Sequence, residues 1–291
     1  MIADFEYFAP RKLDDALVLL DKYQDDCKII AGGQSMLVLM RQGLVAPRYL
    51  IDIKGISDLK YIRFEESDGL KIGALTTHRE IERSPLMKNG YSVLSEMEKR
   101  LASIQTRNWG TIGGNLCHGD PAGDPVPVLI ALKATVVIAS TNGENSLPIE
   151  DFYSDYLETV LQPYELLTEV QIPPVADNTG TAYTKFNVIE SDMGTVGVAV
   201  SITLDSKEGI CSDLRIALGA AAPTPMRARG AEEILRGKKI TKSLLAKAGE
   251  TASAETDPIS DISASEEYRR DLVRILVARV GREAMARAAH A

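Results

Sequence analysis

Little in this sequence points to a self-sufficient chemistry. Its three cysteines, Cys27, Cys117 and Cys211, stand far apart with no C-x-x-C pair, which excludes a disulfide framework and an iron–sulfur or zinc site and leaves buried thiols as the default. No apolar run reaches the roughly 18–20 residues of a membrane span. The start, Met1-Ile2-Ala3-Asp4-Phe5, has neither a basic leader nor an apolar h-region, so the expected location is cytoplasmic. A formal charge of −8, with no basic patch before the last helical stretch, argues against a nucleic-acid partner. There is no G-x-G-x-x-G after a strand and no G-x-x-x-x-G-K followed by Ser or Thr, so neither the Rossmann nor the P-loop cradle for phosphate is present.

What is there is an ordinary globular composition, 45% hydrophobic and 25% charged over 291 residues, long enough for two or three packed units. The first, about 1–57, reads helix, strand, helix, strand. Leu13, Ala16, Leu17 and Leu20 recur at helical spacing, Gly43 closes a helix starting at Met36, and Tyr49 to Ile53 is a short strand. The second, about 58–175, turns to short strands at Leu70–Ala74 and Thr135–Ala139, a helical stretch near Glu80 and an Asn142-Gly143 hairpin turn. Pro173-Pro174 and the polar run after them mark the boundary of a third unit, 176–291. There, strands over Gly197–Leu204 and Leu214–Leu218 flank a turn at Asp205–Gly209, and helices follow. Ser263 and Glu266 form an expected capping box ahead of a stripe of Leu272, Ile275, Leu276 and Val280. Arg269, Arg270, Arg274, Arg279, Arg282 and Arg287 read as a solvated or subunit-facing side.

Two glycine pairs carry the chemistry. Ala31-Gly32-Gly33-Gln34-Ser35 follows an apolar strand and opens the Met36 helix, and Thr111-Ile112-Gly113-Gly114-Asn115 lies in the second unit. Glycine lets the main chain approach phosphate oxygens closely, and a helix start adds amide donors and partial positive charge. A lone Gly-Gly is as easily a plain turn. Two of them, each followed by a small polar residue, read as two jaws for one diphosphate.

Ala31 to Ser35, Gly73-Ala74-Leu75-Thr76-Thr77-His78, and Gln105 through Asn115 followed by Gly119-Asp120-Pro121-Ala122-Gly123-Asp124 resemble the FAD-binding medium subunit of molybdenum hydroxylases, the carbon monoxide dehydrogenase and xanthine dehydrogenase family. The resemblance spans essentially the whole chain. It implies an α+β, vanillyl-alcohol-oxidase-type (PCMH-type) FAD-binding fold of two α/β subdomains over 1–175, plus a C-terminal antiparallel sheet with a helical bundle. By the same resemblance Ala31, Gly32, Gly33, Gln34, Ser35 and Met36 hold the FAD diphosphate together with Thr111, Ile112, Gly113, Gly114 and Asn115. Thr77, His78 and Ala102 line the cofactor site, Asp124 accepts from ribose hydroxyls, Leu166 or Leu167 packs on the adenine side and Lys185 approaches the flavin ring. The implied partners are an iron–sulfur small subunit and a molybdopterin-binding large subunit, assembled as a dimer of heterotrimers. One departure concerns the stretch 191–197, where relatives carry a tyrosine over the flavin and this chain has Thr195.

Beside the resemblance, each residue has a plainer reading. Lys185 could be a solvated strand lysine, and His78 and His118 turn residues with ordinary hydrogen bonds, since nothing pairs them with a nucleophile. Asp120 and Asp124 could form Asx turns ahead of a helix, so no metal is assigned; Trp109 reads as a core or partner contact. No residue set is assigned as catalytic. The expected function is an electron-transfer flavoprotein subunit that takes electrons from partner 2Fe–2S clusters and passes them through FAD to an external acceptor. Its rivals are an autonomous FAD-dependent dehydrogenase or reductase and a non-catalytic scaffold.

Overall fold

A computed structural model describes residues 2–189, 191–205 and 209–290. The first sheet has three parallel strands, β1 (Glu6–Phe8), β2 (Cys27–Ile30) and β3 (Tyr49–Asp52), with β3 in the middle. Helix α1 (Leu13–Tyr23) lays Ala16, Leu17 and Leu20 against Ile51, Ile53 and Cys27, as its apolar spacing requires. Helix α2 (Met36–Gln42) ends at Gly43, which at φ 74° takes the left-handed turn and returns its N–H to Met40.

The second sheet is antiparallel, in the order β4 (Ile62–Glu65), β5 (Gly69–Gly73), β10 (Leu166–Ile172), β6 (Thr135–Ser140), β7 (Gly143–Pro148). A small hairpin, β8 (Tyr153–Asp155) and β9 (Glu158–Thr159), stands apart. Helices α3 (His78–Arg83), α4 (Ser92–Arg100), α5 (Ile104–Trp109), α6 (Ile112–His118) and α7 (Pro125–Ala131) belong to this unit. Its core joins Tyr91, Met97, Leu129 and Phe152 to the inner face of the sheet. The β6–β7 hairpin lies where expected, but its connecting residues are Thr141 and Asn142, because Gly143 is already paired with Ser140.

The third sheet runs β11 (Thr179–Phe186), β12 (Val196–Leu204), β13 (Cys211–Gly219), β14 (Met226–Arg227), all antiparallel. Side chains alternate across it. Val196, Val198, Val200 and Ile202 face the helices α8 (Arg229–Leu235), α9 (Lys242–Glu255) and α10 (Glu266–Ala288), whereas Tyr183, Ala199 and Ala217 join the core of the second unit. That alternation sets the site, because it turns Tyr183 and Lys185 of β11 toward the start of α7. The architecture is the mixed α+β arrangement the sequence led us to expect.

Four local readings are corrected. The N-cap of α10 is Ser265, whose Oγ accepts from the Tyr268 amide; Asp261 Oδ1 takes the Ser263 and Ala264 amides, and this Asx turn carries the chain past Ser263 before the helix begins. The buried stripe runs through Leu272, Val273, Leu276, Val277 and Val280, with Ile275 half exposed. Arg269 is buried rather than solvated, donating to the carbonyls of Thr195 and Ala220 and to Asp261. The centre of the Asp205–Gly209 turn lies outside the described residues. Cys27 and Cys211 are buried as expected, but Cys117 is exposed on α6.

Candidate functional site

The two glycine loops meet. A Cβ on Gly32 would lie 2.1 Å from the Trp109 carbonyl oxygen and 2.8 Å from Gly110 Cα, so only glycine lets the first loop touch the strand-like approach to the second. Across the same seam, a Cβ on Gly114 would lie 3.7 Å from Ala31 Cβ. Gly33 holds φ 73°, which turns the chain from β2 into α2. Among the described residues, nothing accepts a hydrogen bond from the amides of Gly32, Gly33, Gln34, Ser35 or Met36. Ser35 stands at the N-cap of α2 with helical dihedrals and makes no side-chain cap, which leaves its hydroxyl and the first-turn amides as donors at one helix start.

The second loop is built differently. Thr111 pairs with Thr77 in an isolated antiparallel bridge, with His78 N–H on the Gly110 carbonyl and Ile112 N–H on the Thr76 carbonyl, both at 3.0 Å. Gly113 donates to the Ala74 carbonyl, and a Cβ there would be 2.6 Å from Ala74 Cβ. Thr111 caps α6 through Gly114 N–H, and Thr77 caps α3 in a full capping box with Glu80. Asn115 Oδ1 is buried with no partner among the described residues. Such an acceptor is costly unless a donor reaches it.

Below the seam lies a buried ionic layer. Lys185 Nζ donates to Asp124 Oδ2 at 2.8 Å and to the Asp192 carbonyl at 3.0 Å, and Tyr183 OH donates to Asp124 Oδ1 at 2.6 Å. Lys185 is therefore not a solvated strand lysine. Asp120 forms the Asx turn foreseen, onto Ala122 N–H, whereas Asp124 turns inward and caps nothing. Burial pushes the Asp124 carboxyl up, against the opposing pull of Lys185 and Tyr183, and burial beside Asp124 raises the Tyr183 phenol far above its ordinary range. His78 and Glu98 form a second buried pair, with Glu98 Oε1 3.0 Å from His78 Nδ1. Arg107 is locked by Glu82 and by the carbonyls of Leu101 and Ala102, and this fixes Ala102 at φ 43°.

The structure thus brings Ala31 through Met36, His78, and Thr111 through Asn115 to one seam, with Asp124 and Lys185 behind it. Leu167 is buried in the core of the second unit and its neighbour Leu166 in that of the first. Thr195 is buried, its N–H on the Phe186 carbonyl and its own carbonyl held by Arg269. Trp109 is 63% exposed at the seam and is not a core residue. Sequence reasoning missed Tyr183, Glu98 and Arg107. Tyr183 was within reach, since two residues before Lys185 on a strand means the same face; Glu98 and Arg107 left no local signal.

Residues 3–175 match the FAD-binding domain in molybdopterin dehydrogenase, and residues 181–284 match the carbon monoxide dehydrogenase flavoprotein C-terminal domain. The chain is 35% identical over 285 residues to the carbon monoxide dehydrogenase medium chain of Hydrogenophaga pseudoflava, covering 98% of each. It is 32% identical to the caffeine dehydrogenase subunit beta of a Pseudomonas species, over 98% of this chain and 95% of the other. Among solved structures, carbon monoxide dehydrogenase from Hydrogenophaga pseudoflava superposes with a TM-score of 0.95 at 36% identity, and quinoline 2-oxidoreductase from Pseudomonas putida with 0.92 at 32%, each covering 99% of both chains.

Proposed function

The chain belongs to the FAD-binding medium subunits of the molybdenum hydroxylases, and from that membership we propose that it relays electrons from iron–sulfur clusters on a partner chain, through FAD, to an external acceptor. The observation that carries this reading is the row of amides from Gly32 to Met36, which donate to nothing among the described residues, in a loop whose Gly32 meets the approach to the second loop too closely for a side chain. An FAD diphosphate fits that donor set, and the partnerless Asn115 Oδ1 gives the ligand a buried acceptor. FAD when bound supplies the redox chemistry.

The chain's own residues do the rest. Gly32 to Met36 would bind the diphosphate through main-chain donors, with Thr111 to Asn115 closing the far side. Asp124 would accept from ribose hydroxyls with lone pairs that Tyr183 and Lys185 leave free, and Leu167 would back the adenine. The Lys185 ammonium, held by Asp124, would bring positive potential toward the flavin ring. Thr77, His78 and Ala102 would line the site, Ala102 held in place by Arg107. Oxidation of the organic or gaseous substrate would fall to a molybdopterin-binding large subunit, an iron–sulfur small subunit would connect the two, and the whole would be a dimer of heterotrimers in the cytoplasm. Among the described residues no helix is long and apolar enough to cross a membrane.

The test is to express the chain with and without its partner chains and record its visible spectrum during anaerobic reduction. A yellow protein bleached by the complex's substrate only in the complex is the expected result. Bleaching of the isolated chain by an organic substrate would make it an enzyme on its own, and a colourless chain unable to take up FAD would make it a scaffold.

A further inference from the structure

His78 has so far only lined the proposed site, and Glu98 has no part in it. Glu98, on α4, is fully buried, and His78, the first residue of α3, is 2% exposed. Both carboxylate oxygens lie 3.0 Å from Nδ1, yet only Oε1 is aligned to bond it, and Oε2 has no partner among the described residues. The other edge of the imidazole faces the seam, because a Cβ on Gly110 would lie 3.1 Å from His78 Cδ2 and 3.6 Å from Gln34 Cγ of the first glycine loop. Nε2, bonded to that same Cδ2, has no partner among the described residues.

The charges around the pair decide what Nε2 carries. Arg107, the nearest guanidinium, is bonded to Glu82 and two carbonyls, and Lys185 is bonded to Asp124, so neither cation bonds Glu98. Burial pushes the Glu98 carboxyl up; the Asp124 charge pushes the same way, while His78 and Arg107 oppose both. A full negative charge here, with one oxygen left bare, is the costliest arrangement, so the pair should carry no net charge. It then holds one proton between Oε1 and Nδ1, and a second on Nε2. This is so whether the shared proton lies on the carboxyl or on the ring, since a proton on Oε2 instead would be a buried donor with no partner among the described residues.

We propose that Glu98 is a positioning residue that fixes His78 with a protonated Nε2, and that this Nε2–H is a donor to a phosphate oxygen of the FAD diphosphate seated at the glycine seam. The inference rests on the FAD reading above and adds to the main-chain donors one side-chain donor whose proton is set from below.

Three histidines in the chain make the test direct. Imidazole nitrogen NMR of the full chain at pH 7, with and without FAD, should show a proton on His78 Nε2 and its signal moved by FAD and by ADP. The wild-type spectrum decides the matter whether or not a variant folds, and a bare Nε2 at pH 7 overturns the proposal. In Glu98→Gln, where the same spectrum shows the amide carbonyl accepting from Nδ1–H and Nε2 left bare, FAD and ADP should both bind roughly tenfold to a hundredfold more weakly, in line with loss of one charge-assisted hydrogen bond. Unchanged affinity in a folded Glu98→Gln chain with a bare Nε2 overturns it as well, as does weakening for FAD alone with ADP unaffected. Failure of the FAD reading itself would show differently, as a wild-type chain that takes up no FAD in any assembly, and the unliganded Nε2 signal does not depend on that.

Discussion

The two glycine loops look alike in sequence and differ in what they do with their hydrogen-bond donors. In the first, the amides from Gly32 to Met36 donate to no described acceptor. In the second, Ile112, Gly113, Gly114 and Asn115 donate to Thr76, Ala74 and, for the last two, Thr111. One loop is therefore the donor face and the other a fixed wall, tied by the Thr77–Thr111 bridge to the start of α3. A Gly-Gly pair thus has at least two physical meanings. It can free amides for an anion, or let two backbones touch, as Gly113 does on Ala74.

The strongest way to break this contrast is to remove the layer behind the wall. Lys185→Met leaves Asp124 buried without its cation, since the lysine side chain is 3% and the aspartate 7% exposed. We expect a loss of about 3–5 kcal/mol, read by urea unfolding of the flavin-free chain. Lys185→Met with Asp124→Asn should recover much of it, because the buried charge goes with its partner. A double variant as unstable as the single one would show that packing, not charge, holds this layer. Next comes Gly32→Ala, whose Cβ would sit 2.1 Å from the Trp109 carbonyl oxygen. The backbone atoms it meets cannot swing aside, so the loops must part. A cost of roughly 1–3 kcal/mol is expected together with loss of bound FAD, checked by unfolding and by flavin absorbance after desalting.

The same contrast explains what could be read from the sequence. Local features were legible where residues near in sequence determine them, as with the apolar face of α1 or the Gly43 stop. The α10 cap was missed by two residues because Asp261 competes for the amides of Ser263 and Ala264, a contest that composition does not rank. The chemical identity of the site was legible from the glycines and from the motif that follows them. Its support was not. Glu98 reaches His78 across 20 residues, and Tyr183 and Lys185 reach Asp124 across about 60, so only the folded chain brings them together. The expectation that Trp109 could be core failed for a related reason. Gly32 occupies the space beside its backbone and leaves the indole outside.

A smaller effect sharpens the wall. Thr111→Val keeps the shape of the side chain but removes the oxygen that accepts from Gly114 N–H. Loss of an N-cap of this kind costs about 1 kcal/mol, and the measurement is the same unfolding curve. Because Gly114 N–H would then be released toward the seam, flavin retention should survive. Loss of flavin with little loss of stability would mean that the Thr111 hydroxyl itself serves the ligand.

The smallest change in stability should come from Gly114→Ala, and it separates the two meanings of glycine most cleanly. Its Cβ would meet only the Thr111 hydroxyl at 2.9 Å and, across the seam, Ala31 Cβ at 3.7 Å. Alanine is favoured over glycine within a helix by about 0.5–1 kcal/mol, which offsets the shift asked of Thr111, so the net change should stay within about 0.5 kcal/mol. Yet the new methyl comes into contact with Ala31 at the head of the first loop, beside the amides that would hold the diphosphate. The expected result is a chain as stable as the parent that holds FAD more weakly, seen by comparing unfolding midpoints with flavin titration. Tight FAD binding in Gly114→Ala, and equally in a bulkier replacement of Gly33 or Gly114, would show that the ligand does not sit against these loops, and that the second glycine pair exists for packing alone.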